Sequence, residues 1–387
     1  MNDSGVKIEV HLIQNFAPSN LNRDDTGQPK SATFGGFRRA RVSSQCGKRA
    51  ARDWWRERGT VTVGERTKRL QKLIGDKLAA DAEFTTRVPN EEDRKALIRA
   101  FTNANYAAAD KNKPDNTSVL IFIGPDEVDV CSQAIKEGWD NETSKDRIKA
   151  AQVSADIALF GRMIAEQPGR NTDGACQVAH PISTHKVDME MDFYTAVDDL
   201  NPKEETGAGM MGVVGFNSAC YYRYALIDRD HLARNFASKT ERNRVNGKWE
   251  WTSKLEGNDY QEADTVIKAF LEAMVYAIPT GKQNSFAAQN LPSFGLFVRR
   301  QRGVPISLAN AFAKPVRPTK DDEDMVGLSV DRLTKHWDAL KQVYGDQGAQ
   351  TTACFHVQQE GRLNGLSGSD KESVEKAINA VMEAKKP

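Results

Sequence analysis

An α+β fold is the class predicted by the order of patterns along this 387-residue chain. Three observations carry the prediction. Residues 6–13 alternate apolar and polar side chains, residues 63–178 are mostly helical in spacing, and two more alternating segments, 190–197 and 219–227, precede a further set of helices. Strands and helices thus come in groups, which argues against an alternating parallel sheet.

In the first alternating segment Val6, Ile8, Val10 and Leu12 share one face, with Lys7, Glu9 and His11 opposite, as in a half-buried strand. Residues 14–36 show neither period and are rich in Gly, Pro, Asn and Asp, so a long loop, functional or disordered, is expected. Ser43 or Ser44 then caps a helix running to about Arg58, with Lys48, Arg52 and Arg56 on one stripe. Helices are predicted from Pro89-Asn90-Glu91-Glu92 onward and over 150–167, while 119–123 reads as a strand or a buried helix start.

The segments 190–197 and 219–227 read as paired strands, and 198–218 as a long hairpin projecting between them. Residues 264–278 form an amphipathic helix that Pro279 ends. A strand is expected at 296–298, and helices at 331–344 and 369–384, the last with Ser369 and Glu372 as a capping box. No internal repeat is present.

Composition narrows the function. With 39% apolar and 28% charged residues and a mean hydropathy of −0.60, the chain is neither a long disordered polymer nor a membrane protein. The first residues lack a basic segment followed by an apolar core, so no secretory leader is expected. Five cysteines, an odd number without a Cys-x-x-Cys pair, favour free thiols in a reducing, cytoplasmic setting.

Net charge is only +1, yet residues 38–58 hold eight basic and two acidic side chains. That segment carries +6 and the remainder −5, a polarity that suits one polyanion-facing surface. Cations spaced along the chain, Ser and Gln donors, and aromatics beside them are the parts a sequence-blind nucleic-acid groove needs. Met210, Met211, Val213 and Val214, set among glycines, read either as core or as an apolar wedge for stacked bases.

Enzyme motifs are weak. Cys176, His180 and His185 have a loose metal spacing but lack further ligands, and no metal or cofactor is expected. Asp24-Asp25 and Asp198-Asp199 are adjacent acids that face apart on a strand. No phosphate loop, dinucleotide fingerprint or nucleophile elbow occurs.

Asn22-Arg23-Asp24-Asp25, Phe34-Gly35-Gly36, Arg38-Arg39, Ser43-Ser44-Gln45 and Lys48-Arg49 together resemble the N-terminal signature of the CRISPR type I-E Cascade backbone subunit, the CasC family of the RAMP superfamily. Two later blocks resemble it in the same order: one runs from Asp156 through Gly161-Arg162-Met163, His180 and His185 to Leu200, the other joins Gly281-Lys282-Gln283 to 305–312.

The resemblance implies an RRM-like (ferredoxin-like) palm with a helical fingers insertion and a protruding β-hairpin thumb. The implied boundaries are palm 1–62, fingers 63–178, palm 179–193, thumb 194–222 and palm 223–387 with C-terminal helices. It also implies a non-catalytic subunit that binds CRISPR RNA, packs head to tail with copies of itself along the guide, supports pairing of a target DNA strand, and meets other Cascade subunits but no membrane.

Carried over, Arg23, Lys30, Ser43, Gln45, Lys48 and Arg49 would hold guide phosphates, and Asn22, Arg39, Arg41, Arg52 and Lys282 would complete the RNA-binding set. Met163 would pack on guide bases, and Leu200 with Met210 or Met211 would form the thumb wedge. Phe37 stands where the family carries a basic residue. A RAMP-type metal-independent RNA endonuclease, with His11, His180 or His185 as general base, is the alternative; an RNA chaperone that binds without assembling is the third.

Overall fold

A computed structural model describes residues 5–164, 166–196 and 210–383. The chain divides into two compact units: Met1–Trp54 with Val178–Leu226 and Phe270–Pro387, and Trp55–Gln177 with Ile227–Ala269. The second unit therefore takes in residues 227–269, which the expected boundaries give to the palm.

The first unit is built on a sheet whose central strand is β1 (Val6–Ser19). Its strand order runs Ala349–His356, Phe294–Gln301, β1 and Met210–Asp228. β1 pairs antiparallel with Phe294–Gln301, placing Val10 opposite Phe297, and that strand pairs antiparallel with Ala349–His356. Leu296, Val298, Leu333 and Trp337 form a core between the sheet and helix Met325–Tyr344.

β1 is buried on both faces, because Lys7, Glu9 and His11 are covered as fully as Ile8 and Val10. Its polar side chains have partners inside. Glu9 accepts from Arg300 Nε (2.9 Å) and from the Ile306 N–H (2.5 Å), and His11 Nδ1 meets the Tyr222 hydroxyl (2.9 Å). Burial alone would raise the Glu9 pKa, but His11, the Arg300 charge and the Ile306 N–H pull it below its ordinary value. A depressed carboxyl adds stability above its unfolded pKa and loses it as pH falls through the folded one. The urea midpoint is expected to drop between roughly pH 5 and pH 3, and less steeply in Glu9→Gln. An identical pH profile in the variant would refute the assignment.

The expected long loop is shorter than its composition suggests. β1 runs on to Ser19, and a hairpin of β2 (Ser31–Phe34) and β3 (Phe37–Ala40) turns at Gly35-Gly36. Both glycines have positive φ, 61° and 82°, as a tight primed turn requires, and a Cβ on Gly35 would lie 1.9 Å from the Ala313 carbonyl oxygen. α1 (Ser44–Arg58) follows.

Strand Glu190–Ala196 pairs with Met210–Phe216, not with the segment from Ala219 onward, which instead continues the same long strand into the main sheet. The result is an arm whose first strand is exposed along its whole length.

In the second unit, helices Leu70–Ala79, Glu91–Asn105 and Pro125–Glu137 enclose Ile74, Phe84, Ile98, Tyr106 and Val128. The Asn90 side chain caps the second of these by accepting the Glu92 N–H (2.8 Å). Ile121–Ile123 resolves as a strand. The helix expected over 150–167 is only Ala155–Phe160, because the chain then turns back and Arg162 bridges Thr172. The last helix is Val374–Met382, capped by Ser373 in place of Ser369.

These parts make the α+β arrangement that was expected: an antiparallel, ferredoxin-like palm, a helical insertion and an exposed hairpin. Among the described residues no helix is long and apolar enough to cross a membrane. All five cysteines are free thiols.

Candidate nucleic-acid interface

The segment between β1 and β2 is held by its own backbone. The Lys30 N–H donates to the Asn22 carbonyl (2.9 Å), Asp24 N–H to Gln28 O (2.8 Å), and Arg41 N–H to Lys30 O (2.9 Å). The Asp24 carboxylate accepts the Thr26 hydroxyl (2.7 Å) and the Thr26 and Gln28 N–H groups (both 3.0 Å). The Thr26 hydroxyl, these amides and the nearby Lys30 charge hold its pKa below the usual carboxylate range. Asp24 is therefore a turn organiser.

Ser43, of the two candidate serines, caps α1: its hydroxyl accepts the Cys46 N–H (3.3 Å). The Ser43 N–H in turn donates to Asn22 Oδ1 (2.8 Å), so Asn22 ties the loop to the helix start. Cys46 sits in the first turn as a half-buried thiol whose pKa burial raises against the pull of Arg49 and Lys30.

Loop, helix start and the turn after Pro279 enclose a groove of about 540 Å³ lined by Asn22, Arg23, Ser43, Gln45, Arg49 and Gly281, among others. Gly281 is required by close approach, since a Cβ there would lie 2.3 Å from the Leu21 carbonyl oxygen. Lys282 follows with a left-handed backbone at φ 51°. Arg49 is largely exposed and lies 3.5 Å from Asp53, a surface pair that costs little to open. Lys30, Arg41 and Lys48 are half-buried, and Arg23 and Gln45 are exposed.

Two cations of the expected set are not presented this way. Arg39 is fully buried, and its guanidinium donates to the carbonyls of Ser183 (3.0 Å), Phe312 (2.7 Å) and Ala313 (3.2 Å). It braces β3 within the first unit and has no surface for a phosphate. Arg52 is also buried, at 7% exposure, so the stripe Lys48, Arg52, Arg56 is not uniformly open. Arg41 is shared already, reaching Ser31 O (3.3 Å) and His180 Nδ1 (2.8 Å).

Asn20 is a contributor that sequence reasoning missed. It is wholly buried, and its side-chain amide donates to both Gly27 O (3.1 Å) and Gly215 O (2.9 Å). It thus couples the loop between β1 and β2 to the base of the arm. No sequence signal separates it from other loop asparagines.

On the arm, Met210 and Met211 are 59% and 66% exposed but project from opposite faces, as neighbours on a strand must. Met211 shares its face with Met191, Phe193 and Val213, while Met210 is beside Tyr194, whose ring lies over Gly212. Leu200 lies outside the described residues. Met163 belongs to the second unit and is 82% exposed, whereas its neighbour Arg162 is buried on Glu127 (2.5 Å).

The three histidines weighed as bases are differently placed. His11 is buried, His180 faces Arg41, and His185 Nε2 accepts the Cys220 N–H (3.3 Å). Burial, then the Arg41 and Lys30 charges, lower the His180 pKa. Among the described residues no three His, Cys, Asp or Glu side chains converge as a metal site.

The model of a protein family described as CT1975-like protein matches residues 8–383. A chain of a solved "CRISPR RNA-guided surveillance complex, pre-nicking" is 27% identical, with a TM-score of 0.79 over 97% of this chain and 100% of that one. A chain of a second "CRISPR RNA-guided surveillance complex" is 25% identical, with a TM-score of 0.60 over 97% and 98%. No curated protein matches the chain.

Proposed function

Because the chain belongs to the CT1975-like protein family, we propose that it is the guide-RNA-binding backbone subunit of a CRISPR surveillance complex of the type I-E Cascade kind. It holds guide phosphates, packs head to tail with copies of itself along the spacer, supports target-strand pairing, and meets other subunits of the complex. One observation carries the reading: Arg23 and Arg49, the side-chain amides of Asn22 and Gln45 and the Ser43 hydroxyl, brought together from the loop and the α1 start, line one open groove. Phosphates and sugars run along such a groove without their bases being read.

The role is non-catalytic. The wholly buried His11, the His180 Nδ1 that accepts from the Arg41 guanidinium and the His185 Nε2 that accepts a backbone N–H have their ring acceptors enclosed or occupied, which supports that reading.

The test is to purify the chain from its host and sequence the nucleic acid that accompanies it. Repeat-flanked guide RNA of many spacers is expected. Absence of RNA, or discrete cleavage of added repeat RNA at a fixed position, would overturn the reading.

The arm serves as the wedge that kinks the guide. Met210→Gly with Met211→Gly is expected to change RNA affinity by less than about threefold, because the wedge displaces bases without neutralising phosphates. Periodic chemical reactivity along the guide should flatten; an unchanged pattern would remove the wedge role. As the two methionines face apart, the single variants should differ, and comparing them shows which face enters the stack.

A further inference from the structure

The second unit carries a two-stranded hairpin, Arg242–Val245 paired with Lys248–Trp251, that the function above does not use. Its turn is Asn246-Gly247, both with positive φ (49° and 80°), the tight primed turn that matches strand twist. An isolated hairpin is marginal in water, so what holds this one matters.

Trp251 is the anchor. Its ring has the Arg234 guanidinium 4.3 Å and the Arg242 guanidinium 3.7 Å from its centroid, with the His231 ring edge-on at 6.3 Å. Arg234 is buried and also donates to the carbonyls of Ser253 (2.8 Å) and Lys239 (3.3 Å), and Thr252 N–H donates to Glu241 O (3.1 Å). The base is thereby fixed without help from the tip.

The tip has a different composition. In the antiparallel register Arg242 is opposite Trp251 and Arg244 opposite Trp249, so these four side chains alternate on one face. Asn243 and Glu250 lie on the other face, and Glu241 is 3.8 Å from Lys149. Trp249 is 62% exposed and Arg244 is exposed. Residues 239–254 hold five basic and two acidic side chains, a net +3 in a chain of net +1.

We propose that this Arg–Trp face is a second nucleic-acid contact, binding an unpaired strand by stacking a base on Trp249 and holding the adjoining phosphate with Arg244. An exposed indole that contributes nothing to the core, placed across from a guanidinium on a rigid cationic hairpin, is a stacking platform with its phosphate clamp attached. The excess positive charge favours a polyanion over an acidic-poor protein surface. RNA and DNA strands share this chemistry. The inference extends the nucleic-acid reading to a new place and uses none of the groove residues.

The test titrates the full chain, with whatever RNA it carries, with labelled oligo-U, oligo-dT and a DNA duplex of equal length. Trp249→Ala should weaken one or both single strands by about five- to tenfold, and Trp249→Phe by less than about twofold. The duplex should be unaffected, and whichever arm weakens names the strand. Arg244→Gln should lower the log–log salt slope by about 0.7, one phosphate. Unchanged single-strand affinity in Trp249→Ala overturns the proposal, as does an equal loss on duplex. Release of a co-purifying protein with strand affinity intact also overturns it, and assigns the hairpin to a protein contact. Failure of the guide reading shows separately, as absence of RNA from the unaltered chain.

Discussion

Arg39→Ala is expected to destabilise the first unit by roughly 3–4 kcal/mol, whereas Arg38→Ala, one residue earlier, should change stability by less than about 0.5 kcal/mol. The guanidinium of Arg39 satisfies three carbonyls within a fully enclosed site, and its ring neighbour Phe34 lies 5.8 Å away. Removing it leaves buried acceptors unpaired and a cavity the size of a long side chain. Lysine is no substitute, because one ammonium lacks the planar fork that reaches carbonyls on two separate segments; Arg39→Lys should recover less than half of the loss. Urea midpoints of the four chains decide this. If Arg39→Ala unfolds at the same midpoint as Arg38→Ala, the bracing role is wrong. RNA bound by Arg39→Ala, where it stays folded, should keep the parent salt slope.

That pair of arginines shows what the sequence could and could not say. Arg38 and Arg39 are indistinguishable as letters in a basic run, and the expected RNA-binding set includes Arg39, the buried one of the two, and not the exposed Arg38. Strand alternation makes one face outward and the other inward, but only if β3 is known to be a strand, and four residues flanked by two glycines have no usable period. The same ignorance hid the real length of β1, because its Asn-Phe-Ala-Pro-Ser end pairs through backbone atoms that composition does not report.

Elements with strong local causes were legible. The capped helix from Glu91, the amphipathic helix around Phe270 and the α1 start are specified by side chains adjacent in sequence. The groove was legible in its cations and its serine cap. It was not legible in Asn20 or Gly281, whose roles come from segments distant in the chain: Asn20 reaches Gly215, and Gly281 is pressed on Leu21. The 150–167 segment failed for the opposite reason, since its apolar spacing is that of a buried turn of helix followed by irregular core, which periodicity does not separate from a long helix.

With Arg39 and Arg52 withdrawn, Arg23, Lys30, Arg41, Lys48, Arg49 and Lys282 remain as six cations of the first unit that are not buried. Six phosphates on a single strand give a log–log salt slope of about −4. Replacing Arg23, Lys30, Lys48 and Arg49 together by Ala should leave a slope near −1.4, and at about 0.15 M salt the lost counterion release alone weakens binding by roughly two orders of magnitude. Surface charges away from the core move folding stability little, so the variant should keep its urea midpoint. The loss must be equal for guides of unrelated sequence, because phosphates carry no sequence information. Filter binding at several salt concentrations, with two guides of different spacers, measures both quantities at once. A loss confined to one guide would mean that these residues read bases, and an unchanged slope would mean that the RNA runs elsewhere on the protein.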